Sequence, residues 1–150
     1  MIRTVRAVVV VCCSLILLGG CASQPHPTLH ELEQLPAAQV TYPGSVGLGQ
    51  SGSDSNRKFG VNAAIYRVQW LTDQTPAELL AYYQQKLTAQ GWTRDDAAGD
   101  ISQDVSQTWS WVQGKRRFAL SIMAPAYQQR FQQQFPQYQN YRTLYEVLIM

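Results

Sequence analysis

The chain has 150 residues, with 12 Lys and Arg against 10 Asp and Glu. Arg3 and Arg6 belong to the first twenty residues, so the remainder is formally neutral. A neutral chain lacks the basic stripe that nucleic-acid binding requires, which excludes that class of function. The length corresponds to one domain, and a domain of this size buries its core without disulfides.

The first twenty residues have the pattern of an export signal. Arg3 and Arg6 precede an unbroken apolar run, Ala7–Leu18, and Gly19-Gly20 follows it. A transmembrane helix needs about 20 apolar residues, so this run is too short to be one. A basic start, a short apolar segment and small residues before a cleavage point predict a signal peptide over residues 1–20.

The end of this segment, Leu18-Gly19-Gly20-Cys21, resembles the lipobox of bacterial lipoproteins. The resemblance implies cleavage before Cys21, diacylglycerol on its sulfur and an acyl chain such as palmitate on its new amine. It places the protein outside the cytoplasm, anchored by lipid. Ala22 stands where an Asp would favour the inner membrane, so in a diderm host the resemblance favours the outer membrane, facing the periplasm.

Two segments before the first clear element predict irregular chain. Residues 21–38 contain Pro25, Pro27 and Pro36 and are interpreted as a tether, with an α+β domain over residues 39–150. Within the tether, Thr28-Leu29-His30-Glu31 has the spacing of a capping box, which allows a helix of one or two turns. Residues 44–60 are rich in Gly and Ser, which predicts a solvated loop.

A strand is predicted over residues 61–71, and the clearest helix follows it at about 76–90. Thr75, Pro76 and Glu78 combine an N-cap, a proline at the first helical position and a capping-box carboxylate. Gly91 is a typical C-terminal stop.

Residues 105–123 predict a hairpin that turns at Gly114-Lys115, because glycine suits the first central position of a type II′ turn. This register pairs Trp111 with Phe118 and Trp109 with Leu120, so one face is aromatic. The opposite face collects small side chains: Ser106, Thr108, Ser110, Ala119 and Ser121.

A short second helix at about 126–135 and a last strand over residues 141–150 complete the chain. The order of elements predicts an α+β two-layer sandwich, with an antiparallel sheet of four to five strands covered by the helices. A ferredoxin-like β-α-β-β-α-β arrangement is the alternative.

Two further motifs carry a second resemblance. Tyr42-Pro43-Gly44-Ser45, a strand, and then Thr75–Tyr83 with Leu87 and Gly91-Trp92 are similar to a pattern in small bacterial envelope lipoproteins. The resemblance implies a fold and a cellular location, and it implies no reaction.

The sequence offers few groups for catalysis or metal binding. His26 and His30 are the two histidines, and both lie in the predicted tether, so a Ser-His-Asp or Cys-His site has no histidine in the domain. Asp95, Asp96, Asp100 and Asp104 do not follow the spacing of a calcium loop. We therefore predict no catalytic residue, no metal and no cofactor.

These observations predict a non-enzymatic, membrane-anchored binding or structural module of the cell envelope. The alternative is a carrier of a small or lipidic ligand, in a pocket between helix and sheet lined by Trp70, Trp92, Trp109 and Tyr83. An enzyme is the third hypothesis.

The expected partners are membrane lipid, through acylated Cys21, and an envelope protein. The hairpin's small-residue face (Ser106, Thr108, Ser110, Ala119 and Ser121) is the predicted binding surface, because short side chains permit close approach. The neighbouring loop 44–60 is the second part of that surface.

Overall fold

The computed structural model describes residues 27–54, 63–96, 101–102 and 105–150. The predicted signal peptide, Cys21, His26, Asp100 and Asp104 lie outside the described residues. In the described part, no helix has the length and apolar character needed to cross a membrane.

Seven strands and three α-helices make up the described chain. The strands are β1 (Val46–Ser53), β2 (Ile65–Thr72), β3 (Thr93–Arg94), β4 (Ile101–Ser102), β5 (Ser106–Gln113), β6 (Arg116–Met123) and β7 (Thr143–Ile149). The α-helices are α1 (Leu29–Glu33), α2 (Pro76–Ala89) and α3 (Pro125–Gln134), and 3-10 helices span Pro36–Gln39 and Pro136–Tyr138. The predicted α+β class and both predicted helices are confirmed.

All strands join one antiparallel sheet in the order β1-β2-β7-β6-β5-β3, and β4 also pairs with β5. The predicted count of four to five strands is too low, because β1 and the two-residue strand β4 add to it. The ferredoxin-like alternative is not the fold. A split β-α-β unit leaves one strand between the two strands that it joins, whereas β7, β6 and β5 lie between β2 and β3, the strand that follows α2.

The hairpin β5–β6 has the predicted register. Trp111 pairs with Phe118 and Trp109 with Leu120. Gly114 has a φ of 60°, while no described non-glycine residue has a positive φ. This combination distinguishes the predicted type II′ turn from type I′, which needs two positive φ values.

One face of the sheet forms the core with α2. The Tyr83 ring lies between sheet aromatics, with its centroid 5.8 Å from Phe118 and 6.0 Å from Tyr145. Leu79 and Leu87 are fully buried on the same side of α2. The other face is polar in part, where Arg67 and Glu146 form an ion pair of 3.2 Å.

The interpretation of residues 21–38 as a tether is wrong for the described part of that segment. Thr28 caps α1 through a capping box with Glu31, and the side chains of Leu32 and Ala37 are fully buried in the core. A five-residue helix is marginal by itself, so tertiary packing supplies its stability. The domain therefore begins before residue 39.

The prediction of a solvated loop over residues 44–60 is also wrong where the structure describes the segment. Residues 46–53 form β1 and pair with β2 along their length, with one register shift between Gly47 and Gly49. Glycine fits here because neighbours approach closely: a Cβ on Gly47 would lie 3.2 Å from Cζ3 of Trp70. The remaining residues of the predicted loop that lie in 55–60 are outside the described residues.

Helix α3 lies at the end of the sheet where β6 ends and β7 begins, and none of its residues is buried. The Phe131 ring of α3 packs on two rings that follow the helix: its centroid is 4.9 Å from the tilted ring of Phe135 and 5.9 Å from the stacked ring of Tyr138. Gln132 donates to the carbonyl oxygen of Tyr141 at 2.7 Å. The helix is fastened by glutamine side chains and ring stacking rather than by core packing.

Candidate functional site

A groove of about 430 Å³ opens between the first 3-10 helix and strands β1 and β2. Its volume lies in the range typical of small-molecule sites. Three chain segments contribute its lining: Ala38, Gln39 and Thr41; Gly47, Leu48, Gly49 and Gln50; and Tyr66, Val68 and Trp70.

The lining of the groove combines an apolar floor with neutral polar groups. Val68 is buried and Trp70 is half-buried. The Tyr66 hydroxyl donates to Oε1 of Gln50 at 3.3 Å. No lining residue carries a charge. An ionised ligand would therefore lose its hydration without gaining a partner of opposite charge.

The width of the groove depends on Gly47. A methyl group at this position would press on the six-membered ring of Trp70. Because Gly47 has no side chain, β1 lies close to the indole of Trp70 and the groove beside them stays open.

Two tyrosines of α2 fix the opposite wall. The Tyr82 hydroxyl donates to the carbonyl oxygen of Thr41 at 2.9 Å, and the Tyr83 hydroxyl donates to that of Val40 at 3.1 Å. The carbonyl of Val40 would otherwise have to be satisfied in the core, where an unpaired polar group is costly. Val40 and Thr41 are thus held to α2 by hydrogen bonds from tyrosine side chains to main-chain carbonyls.

The turn that leads from this wall into β1 is held in the same way. Gly44 has a φ of 80°, and Ser45 N donates to the carbonyl oxygen of Tyr42 at 3.0 Å. The Ser45 hydroxyl is 2.9 Å from the Tyr145 hydroxyl. The Tyr42 ring meets Tyr82 edge to face, with centroids 4.8 Å apart.

Burial controls the ionisation of the tyrosines beneath the groove. It raises the pKa of Tyr83 far above its ordinary value, and the neighbouring Tyr145 adds to this effect. Burial is also the main cause of the raised pKa of Tyr66. These hydroxyls therefore stay protonated near neutral pH, and they serve as hydrogen-bond donors.

The pocket that we predicted between helix and sheet is filled. Trp92, Trp109 and Tyr83 are buried in the core, so of the four predicted residues the groove receives only Trp70. The real groove lies one layer further out, under the first 3-10 helix. Most of its lining was missed because residues 21–38 and 44–60 were interpreted as irregular chain. The capping box at Thr28 indicated the short helix α1 but not its burial, and the alternation of glycine with larger residues after Val46 is the signal that predicts β1.

The predicted binding face of the hairpin is only partly available. Thr108 and Ser121 are half-buried, and their hydroxyls are 2.8 Å apart across the strands. Ser106 is also half-buried. Ser110 and Ala119 are 4% and 7% exposed, so the centre of this face does not offer an accessible surface.

Larger neighbours account for the burial of the small residues. An ion pair of 3.0 Å joins Arg117 to Asp95, and the backbone of Asp95 bonds to that of Ser110. Leu148 is the cross-strand partner of Ala119. Side chains as short as Ser and Ala lie below the level of such neighbours, which the alternation pattern does not reveal.

The residues considered for metal binding do not form a site in the described chain. Nε2 of His30 is 3.0 Å from the side-chain nitrogen of Gln34. Asp95 pairs with Arg117, and Asp96 lies 3.8 Å from the guanidinium of Arg94. Among the described residues, no three His, Cys, Asp or Glu side chains come together.

Comparison with known proteins gives one family. A START domain-like family model matches residues 50–137, which is more than half of the chain. The match extends from the middle of β1 through α3, and it includes Gln50, Tyr66, Val68 and Trp70 of the groove. No curated protein and no solved structure matches the chain. The chain belongs to the START domain-like family.

Proposed function

We propose that the protein binds a small, uncharged molecule with an apolar part in the groove beneath the first 3-10 helix. The observation that carries this proposal is the lining itself: Trp70 and Val68 offer apolar surface, and no lining side chain is charged. Membership in the START domain-like family supports a ligand-binding role.

The lining also indicates how such a molecule would be held. Apolar surface removed from water contributes about 25 cal/mol per Å², and the indole of Trp70 is the largest apolar group available. The side chains of Gln39, Thr41 and Gln50 offer neutral donors and acceptors that would orient a hydroxyl, ester or amide group. The preferred ligand is thus amphipathic and neutral.

Filling the groove tests this proposal. In Ala38→Trp, an indole occupies the space beside Trp70, while Ala81→Trp adds the same side chain to an exposed position of α2. The probe is N-phenyl-1-naphthylamine, an uncharged apolar fluorophore, titrated into the full chain. We expect Ala38→Trp to weaken its binding by about tenfold or more, which corresponds to 1.4 kcal/mol.

Ala81→Trp is expected to bind the probe like the wild type. Equal affinity in all three proteins, with unchanged circular dichroism spectra, would mean that the groove is not the binding site.

The domain is proposed to act by binding alone, without catalysis or a cofactor. The groove lining contains no His, Cys, Lys or carboxylate, and its one titratable group, Tyr66, has a pKa above the ordinary tyrosine value because of burial. General acid–base catalysis near neutral pH favours a group that titrates there.

We also propose that the protein is a lipoprotein anchored through Cys21 to a membrane of the cell envelope. The support is the sequence Leu18-Gly19-Gly20-Cys21 after a short apolar run. Five residues, 22–26, lie between Cys21 and residue 27, where the described domain begins, and the six Cα–Cα steps span about 20 Å at most. The groove would then lie close to the membrane, where an amphipathic ligand is available.

Labelling with radioactive palmitate in a bacterial host tests the anchor. Cys21→Ser is expected to abolish incorporation of the label and to release the protein from membranes. Cys13→Ser removes a cysteine of the apolar run and is expected to keep both properties. Label retained in Cys21→Ser would refute the assignment.

A further inference from the structure

The two edges of the sheet differ in length and charge. At one edge, β3 has two residues, and charged side chains surround it: Arg94 lies over the Trp111 ring at 5.0 Å, and Asp95 pairs with Arg117. At the other edge, β1 has eight residues, Val-Gly-Leu-Gly-Gln-Ser-Gly-Ser, without a charge or a proline. Natural proteins usually protect edge strands by short length, charge, proline or a β-bulge. Of these protections, the β1 edge has only the irregularity between Gly47 and Gly49, so residues 50–53 are regular and unprotected.

The outer side of β1 is open along its length in the described part of the chain. Every residue of the strand except Leu48 is exposed. The strand pairs with β2, and no further backbone hydrogen bond of the described residues reaches residues 46–53. An antiparallel strand turns part of its N–H and C=O groups toward each side, so the outer groups of β1 are available to another strand.

We propose that β1 pairs with β1 of a second copy of this chain, antiparallel and about a two-fold axis. A two-fold axis brings identical edges together in opposite directions, which is the antiparallel arrangement. Like charges facing each other across two strands are destabilising. Because β1 carries no charge, the strand meets its own copy without this penalty.

The position of the groove is consistent with a second copy of the chain paired at β1. Gly47, Leu48, Gly49 and Gln50 of β1 line the groove, so the groove lies beside the edge strand. A second β1 would extend this wall and place side chains of one copy beside the groove of the other. The pairing itself does not depend on ligand binding, although its effect on the groove rests on the proposed function.

The size of the interface determines how it should be measured. A standard protein–protein interface has about 20–30 residues a side, whereas β1 has eight. The pairing is therefore expected to be weak in dilute solution, and covalent trapping is the suitable assay. A disulfide forms when two Cα atoms are about 4.4–6.8 Å apart, the distance between facing residues of paired strands.

The experiment is a cysteine scan of β1 in the full chain, at Val46, Leu48, Gln50, Ser51 and Ser53, followed by mild oxidation and non-reducing electrophoresis. In an antiparallel pair about a two-fold axis, only residues next to the axis face their own copy. We expect disulfide-linked dimer at one position or two neighbouring ones, several-fold above the other positions of the scan. The wild type gives the background from its native cysteines.

Two controls separate pairing from random collision. Thr93→Cys lies on the opposite edge, and Thr88→Cys is exposed on α2. Both are expected to stay at the wild-type level, and circular dichroism checks that each variant is folded. Equal yields along β1, yields no higher than in Thr88→Cys, or capture of a different protein would each overturn the proposal. Probe binding is measured in a separate experiment, so a wrong groove assignment can be distinguished from a failure of β1 to pair.

Discussion

At the scale of single residues, the tyrosines explain the motif that resembles envelope lipoproteins. Tyr82 and Tyr83 each donate to a main-chain carbonyl of the segment before β1. Ser45 contacts the Tyr145 hydroxyl, and Tyr42 packs on Tyr82. These residues are therefore a fastening between α2, β7 and the wall of the groove. The hydrogen bonds that Tyr82 and Tyr83 donate require the protonated, neutral form of each tyrosine hydroxyl.

This fastening predicts a loss of stability at high pH. Burial raises the pKa of Tyr83 above the ordinary value of 10.0, so above pH 10 the unfolded chain releases a proton that the folded chain keeps. The stabilisation is complete below pH 10 and is lost as the pH rises further. We expect the free energy of unfolding to fall by about 1.4 kcal/mol per pH unit for this residue.

Urea unfolding between pH 8 and pH 11.5 measures this slope. In Tyr83→Phe the group is absent, so the decline above pH 10 is expected to be shallower than in the wild type by the contribution of one tyrosine. Because other groups that titrate in this range are common to both proteins, they cancel in the comparison. Identical slopes would contradict the assignment.

At the scale of elements, the hairpin β5–β6 was predicted to the residue. The type II′ turn needs glycine at its first central position, and the alternation of aromatic with small residues fits only one register. Gly114 has the required positive φ, and Trp111 faces Phe118. Turn chemistry and side-chain alternation give independent support to the same register, which is why the sequence was sufficient here.

The turn gives a second prediction. Gly114→Ala places a Cβ on a residue with a φ of 60°, and strained backbone of this kind costs about 1–3 kcal/mol. Lys115→Ala, the matched control, changes the neighbouring turn residue, whose φ is not positive. We expect Gly114→Ala to lower the free energy of unfolding by that amount and Lys115→Ala to leave it nearly unchanged. Equal effects in denaturant titrations would argue against the II′ turn.

Strand β1 was not predicted, because its stability comes from its neighbours, whereas the capping box at Thr28 did indicate the short helix α1. Three of the eight residues of β1 are glycines, and glycine has a low strand propensity. The strand forms because β2 supplies the backbone partners and Trp70 requires a small neighbour at Gly47. Composition alone therefore indicates a loop, and only the tertiary contact shows the strand.

At the scale of the whole molecule, the groove is a product of topology. Its walls come from residues 38–41, 47–50 and 66–70, which meet because β1 folds back on β2 and the first 3-10 helix lies across them. Trp70 was recognised as a candidate from the sequence, while the partners that form the groove around it depend on this packing. The family match covers Gln50 and the β2 residues of the groove, whereas residues 38–49 lie before its first residue.

The N-terminal wall leads to the last prediction, which concerns the boundary of the domain. Leu32 of α1 is fully buried in the main core, although it lies in the segment interpreted from sequence as a tether. Truncation of a buried leucine to alanine costs about 2–5 kcal/mol, whereas a true tether residue would contribute almost nothing. His30, two residues earlier in α1, is exposed. We expect Leu32→Ala to lower the free energy of unfolding by about 3 kcal/mol and to weaken probe binding, because α1 directly precedes the groove wall. His30→Ala should change both properties little, and equal stability of the two variants in urea titrations would restore the tether assignment.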